Sequence, residues 1–187
     1  IMSIAFMAVA TSSMAQSLNK MNWLNEPQQW EIKDGKTLVM DVPAKTDFWR
    51  ISHYGFTVDD GPFYYATYGG EFEAKVKITG NYVTTFDQMG LMLRIDHENW
   101  IKAGVEYVDG IQNVSAVVTH RTSDCSVVQL PDAPRSIWIK AVRRLDAVEI
   151  FFSRDDKEYI MMRTCWLQDN CPVMVGLMGA CPDGKGF

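Results

Sequence analysis

The chain has 187 residues, 47% hydrophobic and 22% charged, a balance that gives one globular domain a sizeable core and excludes a disordered chain. A formal net charge of −5 excludes nucleic acid as the main partner, because phosphate binding needs a concentrated basic face. The six Trp, seven Tyr and nine Phe suit β-sheet packing and also stacking on sugar rings.

Residues 1–15 run apolar, then small, and end in Ser13-Met14-Ala15, a small-x-small cleavage pattern before Gln16. The stretch is too short to span a bilayer as a helix. Two readings stand open: a signal-peptide remnant, which makes the protein secreted, or a leader before a domain that starts near Met21. The chain therefore divides into residues 1–20 and a domain over residues 21–187.

Trp30 to Lys33 alternates like a strand, Asp34-Gly35 is a hairpin turn, and Thr37 to Met40 returns. A loop leads to Phe48-Trp49-Arg50-Ile51 and then His53-Tyr54-Gly55-Phe56. Asp59-Asp60-Gly61-Pro62 reads as a turn, and Phe63 to Tyr68 is aromatic. Glu71 to Thr79 alternates strictly: Phe72, Ala74, Val76 and Ile78 take one face, and charged residues with Thr79 take the other. Glu71 and Glu73 have the spacing of a paired carboxylate but lie on that solvated face.

Residues 85–120 predict three consecutive strands. Met89, Leu91, Leu93 and Ile95 form the inward set of the first, and Ile101, Ala103, Val105 and Tyr107 that of the second. Asp109-Gly110 turns into the third, Gln112 to His120. The opposite parity places Gln88, Arg94, Lys102, Glu106 and Asn113 or Ser115 on one exposed sheet face. Gly90 and Gly104 in mid-strand leave a shallow trough there.

Beyond this, Arg121 to Asp124 reads as a loop, with Asp124 in turn chemistry. Short strands follow at Ser126–Leu130, Ile137–Val142, Val148–Ser153 and Glu158–Arg163, and Pro172 to Ala180 is apolar on both faces, as a central strand would be. With about a dozen short strands, no helical period and no linker, the residues predict an all-β sandwich of two antiparallel sheets. Cys125, Cys165, Cys171 and Cys181 show no CxxC pair and no zinc-ligand spacing. They read as buried or incidental thiols, with a Cys165–Cys171 loop open as the alternative in an oxidising compartment. No motif calls for a metal, a cofactor or a catalytic residue.

The run WLNEP with Trp30, Asp47-Phe48-Trp49, Asp87-Gln88-x-Gly90-Leu91, Asn99-Trp100-x-Lys102-x-Gly104-x-Glu106 and Val117-Val118-Thr119 before Ser123-Asp124-x-Ser126 closely resembles one family. It is the family that includes the fungal "regulation of enolase" protein. The resemblance covers residues 21–187. It implies a concanavalin A-like jelly-roll of the lectin/glucanase superfamily, whose concave face often carries a sugar, and a cytoplasmic location. It also implies a metabolic enzyme as a possible partner. The family has Trp in place of Cys125 and Ser in place of Cys181, and it continues past residue 187, so the domain is expected to lack its last strand. The related glucanases carry their carboxyls in an E-x-D-x-x-E strand that this sequence lacks.

These readings predict a non-catalytic domain that binds a carbohydrate or sugar-derived small molecule, with no nucleic-acid or membrane partner. Gln88, Arg94, Lys102, Glu106 and Asn113 are the expected hydrogen-bonding groups on the concave sheet. Trp49 and Tyr54 are the expected stacking partners, with His53 bonding a hydroxyl. Trp100 is expected to anchor the core. The alternatives are a regulatory module that docks another protein and a glycoside hydrolase-like enzyme.

Overall fold

A computed structural model describes residues 18–187. Of the leader expected over residues 1–20, residues 1–17 lie outside the described residues. Fifteen strands, β1 to β15 in chain order, follow a 3-10 turn at Leu18–Lys20, and no α-helix occurs among the described residues.

Seven strands make one antiparallel sheet, in the order β1 (Asn22–Leu24), β6 (Phe63–Tyr68), β15 (Val173–Ala180), β8 (Gln88–Arg94), β9 (Asn99–Val108), β10 (Ile111–His120) and β11 (Thr122–Leu130). Four make the other: β14 (Ile160–Trp166), β13 (Ala147–Ser153), β12 (Ile137–Arg144) and β7 (Phe72–Ile78). The hairpins β2 (Trp30–Lys33) with β3 (Thr37–Met40) and β4 (Phe48–Arg50) with β5 (Thr57–Asp59) complete the chain. The architecture is the expected jelly-roll sandwich.

The expected alternation explains why the two large sheets stack. Leu91, Leu93, Ile101, Val105 and Val114 from one sheet share a core with Ile137, Ile139, Ile150 and Phe152 from the other. Each large side chain so buried contributes roughly 1.5–3 kcal/mol. On β7 the charged residues of the expected solvated face, Glu73, Lys75 and Lys77 among them, alternate with Ala74 and Val76, which pack on that core. The first hairpin turns as Asp34-Gly35 dictates: both have positive φ (54° and 65°), and Lys36 N donates to Lys33 O at 3.1 Å. β15, expected to be central, lies between β6 and β8 and feeds two cores: Val173 and Val175 reach the inter-sheet core, and Met178 and Ala180 a second cluster on the far face.

Several elements differ from expectation, among them β14, which runs Ile160–Trp166 where the sequence predicts Glu158–Arg163. β11 starts at Thr122, because Arg121 (φ 63°) makes the whole turn and leaves Ser123 and Asp124 in the strand. Asp124 is therefore an ion-pair partner of Arg163 at 2.6 Å instead of a turn former. β5 occupies Thr57–Asp59, where the sequence predicts no strand and places Asp59 in the turn to Pro62; three residues are too few to show a period. All four cysteines are free thiols, Cys165 and Cys171 included.

Candidate functional site

The strands of the seven-stranded sheet pair in register, so the residues facing away from the inter-sheet core fall into rows. One row is Ala180, Gln88, Glu106, Asn113, Gln129; the next is Met178, Gly90, Gly104, Ser115, Val127. A third is Gly176, Met92, Lys102, Val117, Cys125, and a fourth Met174, Arg94, Trp100, Thr119, Ser123. Gln88, Arg94, Lys102, Glu106 and Asn113 thus share one face, as the alternation predicts. Gly90 and Gly104 stand opposite each other in its middle. A Cβ on Gly90 would come within 2.1 Å of Ala103 O, and one on Gly104 within 2.1 Å of Met89 O, so the adjoining backbones approach where only glycine fits.

The face is not the exposed one expected. Gln88, Arg94, Lys102, Asn113 and Ser115 are all buried. The physical reason is the β4–β5 hairpin, which lies across the face. Phe48 is fully buried in a cluster with Met92, Trp100 and Val117, its ring 6.2 Å from that of Trp100, which is the core anchor expected. Burying a cation beneath this cover requires partners, and the hairpin supplies them. Lys102 Nζ donates to Phe48 O at 2.7 Å, to Gln88 Oε1 at 2.6 Å and, more weakly, to Asp47 Oδ1 at 3.5 Å. Arg94 forms a bidentate pair with Asp59 at 2.5 and 2.7 Å. Asn113 Nδ2 donates to the carbonyls of Ile111 and Glu106. These three residues are occupied in holding the fold.

Glu106 differs. Burial pushes its carboxyl above the usual glutamate range; Lys102 pulls it back, the charge of Asp47 raises it, and the neighbouring Ser115 hydroxyl lowers it. Beside it at the rim stands Cys125, an exposed residue with protein packed around its sulfur: burial first, then the charge of Glu106, push the thiol up to about 11. Burial and the charges of Glu106, Asp47 and Cys125 raise the Tyr54 phenol too. The charge of Glu106 therefore reaches both the Tyr54 phenol and the Cys125 thiol at the mouth of the face. Beneath them a cavity of about 10 Å³, lined by Gln88, Lys102, Gly104, Ser115 and Met178 among others, has room for about one water.

Trp49 lies in β4 of the covering hairpin, and His53 and Tyr54 belong to its tip. Ile51, His53 and Gly55 have positive φ (65°, 65° and 76°), a conformation that is an outlier for a β-branched residue such as Ile51. Backbone of this kind concentrates at ligand clamps. Bonds from Ile51 N to Phe56 O (2.6 Å) and Gly55 N to Ile51 O (2.7 Å) hold it, and Trp49 Nε1 caps Ser52 O at 2.8 Å. Tyr54 stacks on Phe56 with centroids 5.4 Å apart and meets Trp49 and His53 edge-on. Arg50 ties the tip to the sheet through Glu98 Oε1 (2.7 Å) and Arg121 O (3.1 Å). Among the described residues, no group of three or more His, Cys, Asp or Glu is placed to hold a metal ion.

The sequence reading missed Asp47 and Asp59 as members of this arrangement. The available signal was a Lys and an Arg in otherwise apolar strands, which call for carboxylates from elsewhere in the chain once their face is covered.

Residues 23–187 match the family described as "Protein of unknown function (DUF1349)". The chain belongs to the DUF1349 family. It is 34% identical over 170 residues to "Regulation of enolase protein 1" of Saccharomyces cerevisiae, covering 91% of this chain and 85% of that protein. This DUF1349 chain is also similar to the crystal structure of a functionally unknown protein from Saccharomyces cerevisiae, at 33% identity and a TM-score of 0.86 over 91% of each chain. A GH43 protein, BlXynB from Bacillus licheniformis, is similar at 13% identity and a TM-score of 0.69, over 91% of this chain and 36% of that one. At that identity the likeness is one of fold.

Proposed function

We propose that this DUF1349 chain is a non-catalytic binding domain for a neutral sugar or polyol, held at the mouth of the concave face. The observation that carries the proposal is Glu106, a half-buried carboxyl between Gln88 and Asn113 on the covered face, whose charge raises both the Tyr54 phenol and the Cys125 thiol. Glu106 and Asp47 accept hydrogen bonds from ligand hydroxyls, and the Tyr54 ring offers a stacking face. The floor cations support a neutral ligand over an anionic one, because Lys102 and Arg94 already have their charge and donors matched. The ligand rests on the mouth, since the cavity below has room for a water only.

A thermal-shift panel of neutral, acidic and phosphorylated sugars tests this. A ligand at 100 times its dissociation constant stabilises by about 2.7 kcal/mol. At roughly 2–4 °C per kcal/mol for a chain this size, the melting point rises by roughly 5–11 °C. Neutral sugars should give the shift, and Glu106→Ala should abolish it in a protein that still melts cooperatively. A response confined to phosphorylated sugars, or one indifferent to Glu106→Ala, sinks the proposal.

A second reading, a module that docks a metabolic enzyme, draws on the name of the yeast relative and on one feature of this chain. Ile51, Tyr54 and Phe56 expose apolar surface together at the hairpin tip. It predicts silence across the sugar panel and retention of an enolase by the immobilised chain that Tyr54→Ser with Phe56→Ser removes.

A further inference from the structure

The sandwich has open sheet edges, and one of them lacks the features that keep edges apart. A two-residue turn, Asp109-Gly110 with φ of 49° and 87°, makes Val108 and Ile111 a hydrogen-bonded pair. Hydrogen-bonded and non-bonded pairs alternate along an antiparallel ladder. The odd residues of β10 therefore bond to β9 and its even residues to β11. The register with β11 then engages Asp124, Ser126 and Val128, and turns the N–H and C=O of Ser123, Cys125, Val127 and Gln129 outward. Ser123 O is capped by the Ser52 hydroxyl, as an outward carbonyl needs. Among the described residues, the stretch from Cys125 to Gln129 has no such cap.

Edge strands are ordinarily kept apart by brevity, charge, proline or bulges. β1 has three residues, β7 carries Lys75 and Lys77, and β14 pairs through an irregular register and bears Arg163. Cys125-Ser126-Val127-Val128-Gln129 has no charge, no proline and no glycine, and Val127 and Val128 are 52% and 44% exposed.

We propose that this edge is a self-association surface: two copies of the chain pair β11 with β11 antiparallel, about a two-fold axis through Val127. The register is self-complementary. Val127 meets Val127, Cys125 meets Gln129, and Ser126 meets Val128, with each outward-facing pair exchanging both backbone bonds. The nearest charge, Asp124, falls opposite Leu130 and is held by Arg163 of its own chain, so no like charges face each other. The pairing joins two seven-stranded sheets into one. It also brings the second copy's Gln129 beside Cys125, at the rim of the mouth formed by Glu106 and Tyr54.

Sedimentation equilibrium of the full chain, with hydrogen exchange read across a dilution series, tests this. The wild type should show a mass twice that of the monomer. Its Cys125, Val127 and Gln129 amides should gain protection with concentration. Val127→Lys should give a monomer that melts like diluted wild type. Val127→Pro should do the same, because that N–H has no partner among the described residues. A wild type that stays monomeric overturns the proposal and leaves the edge to an extended peptide of another protein. A dimer that survives Val127→Lys, or concentration-dependent protection elsewhere, overturns it too. The exchange measurement needs only wild type, so a variant that fails to fold does not blunt the test.

Discussion

Lys102 donates to the backbone carbonyl of Phe48 at 2.7 Å, so a strand in the middle of the large sheet holds down the hairpin that covers it. The same ammonium binds Gln88 Oε1. Lys102→Met keeps the bulk but leaves both acceptors unpaired, and each unmet buried group costs about 1–3 kcal/mol. Urea unfolding should show a loss of about 2–6 kcal/mol. The exposed control Lys33→Met should move stability by no more than about 0.5 kcal/mol. Equal effects from the two would mean that Lys102 does not anchor the hairpin.

Arg94 and Asp59 fasten the hairpin's other strand. Arg94 is buried and Asp59 partly reached by water. Removing one partner of a buried pair costs about 3–5 kcal/mol, and water at Asp59 puts Asp59→Asn near or below the lower end of that range. The loss should be local before it is global. Proteolysis in residues 51–56 should quicken in Asp59→Asn at temperatures where the sheet signal by circular dichroism is unchanged.

How much of this was legible can be judged residue by residue. Strict alternation at Glu71–Thr79 and the double alternation around Gly90 and Gly104 fix which side chains share a face, since parity is local information. Whether that face meets water is not local. It depends on residues 48–59 folding over it, and that segment has two three-residue strands and three positive-φ residues in its tip, with no period to read. Lys102 and Arg94 were therefore placed on the right face and given the wrong environment. Their carboxylate partners lie 55 and 35 positions away in the chain, beyond any spacing rule.

Gly104 carries a sharper expectation. A methyl there would sit 2.1 Å from Met89 O and 2.6 Å from the Cα of Gly90, so backbone, not a flexible side chain, must give way. Gly104→Ala should destabilise by at least about 1–3 kcal/mol, the usual cost of overpacking. Gly69→Ala, with nothing within 4 Å of its Cβ, should be close to neutral. Chemical denaturation of the pair reads both.

Cys125 reports on the mouth without any ligand. Burial first and Glu106 second push its thiol up to about 11, so it should alkylate slowly for an exposed residue, because the thiolate is the nucleophile. Glu106→Gln removes one raising charge. Iodoacetamide should then modify Cys125 faster at mildly alkaline pH, with Cys171 as internal reference. An unchanged ratio of rates would separate Cys125 electrostatically from Glu106.

Glu106 itself sets a pH dependence of known sign. Burial, its largest influence, raises the folded carboxyl above the ordinary value of 4.5, with the attraction of Lys102 opposing and the charge of Asp47 assisting. The folded state thus holds this proton more tightly than the unfolded chain does. The associated stability is fully present below pH 4.5 and is lost as the pH rises through the raised folded value. Glu106→Gln keeps the shape and cannot ionise, while the carboxyls common to both proteins largely cancel in the difference. Wild-type stability relative to Glu106→Gln should therefore fall as the pH climbs above 4.5 and level off once Glu106 is ionised in both states. Urea midpoints of the two proteins across that range measure it. A difference that grows with pH would mean that Lys102 outweighs burial, which would make Glu106 a fixed anion at the mouth.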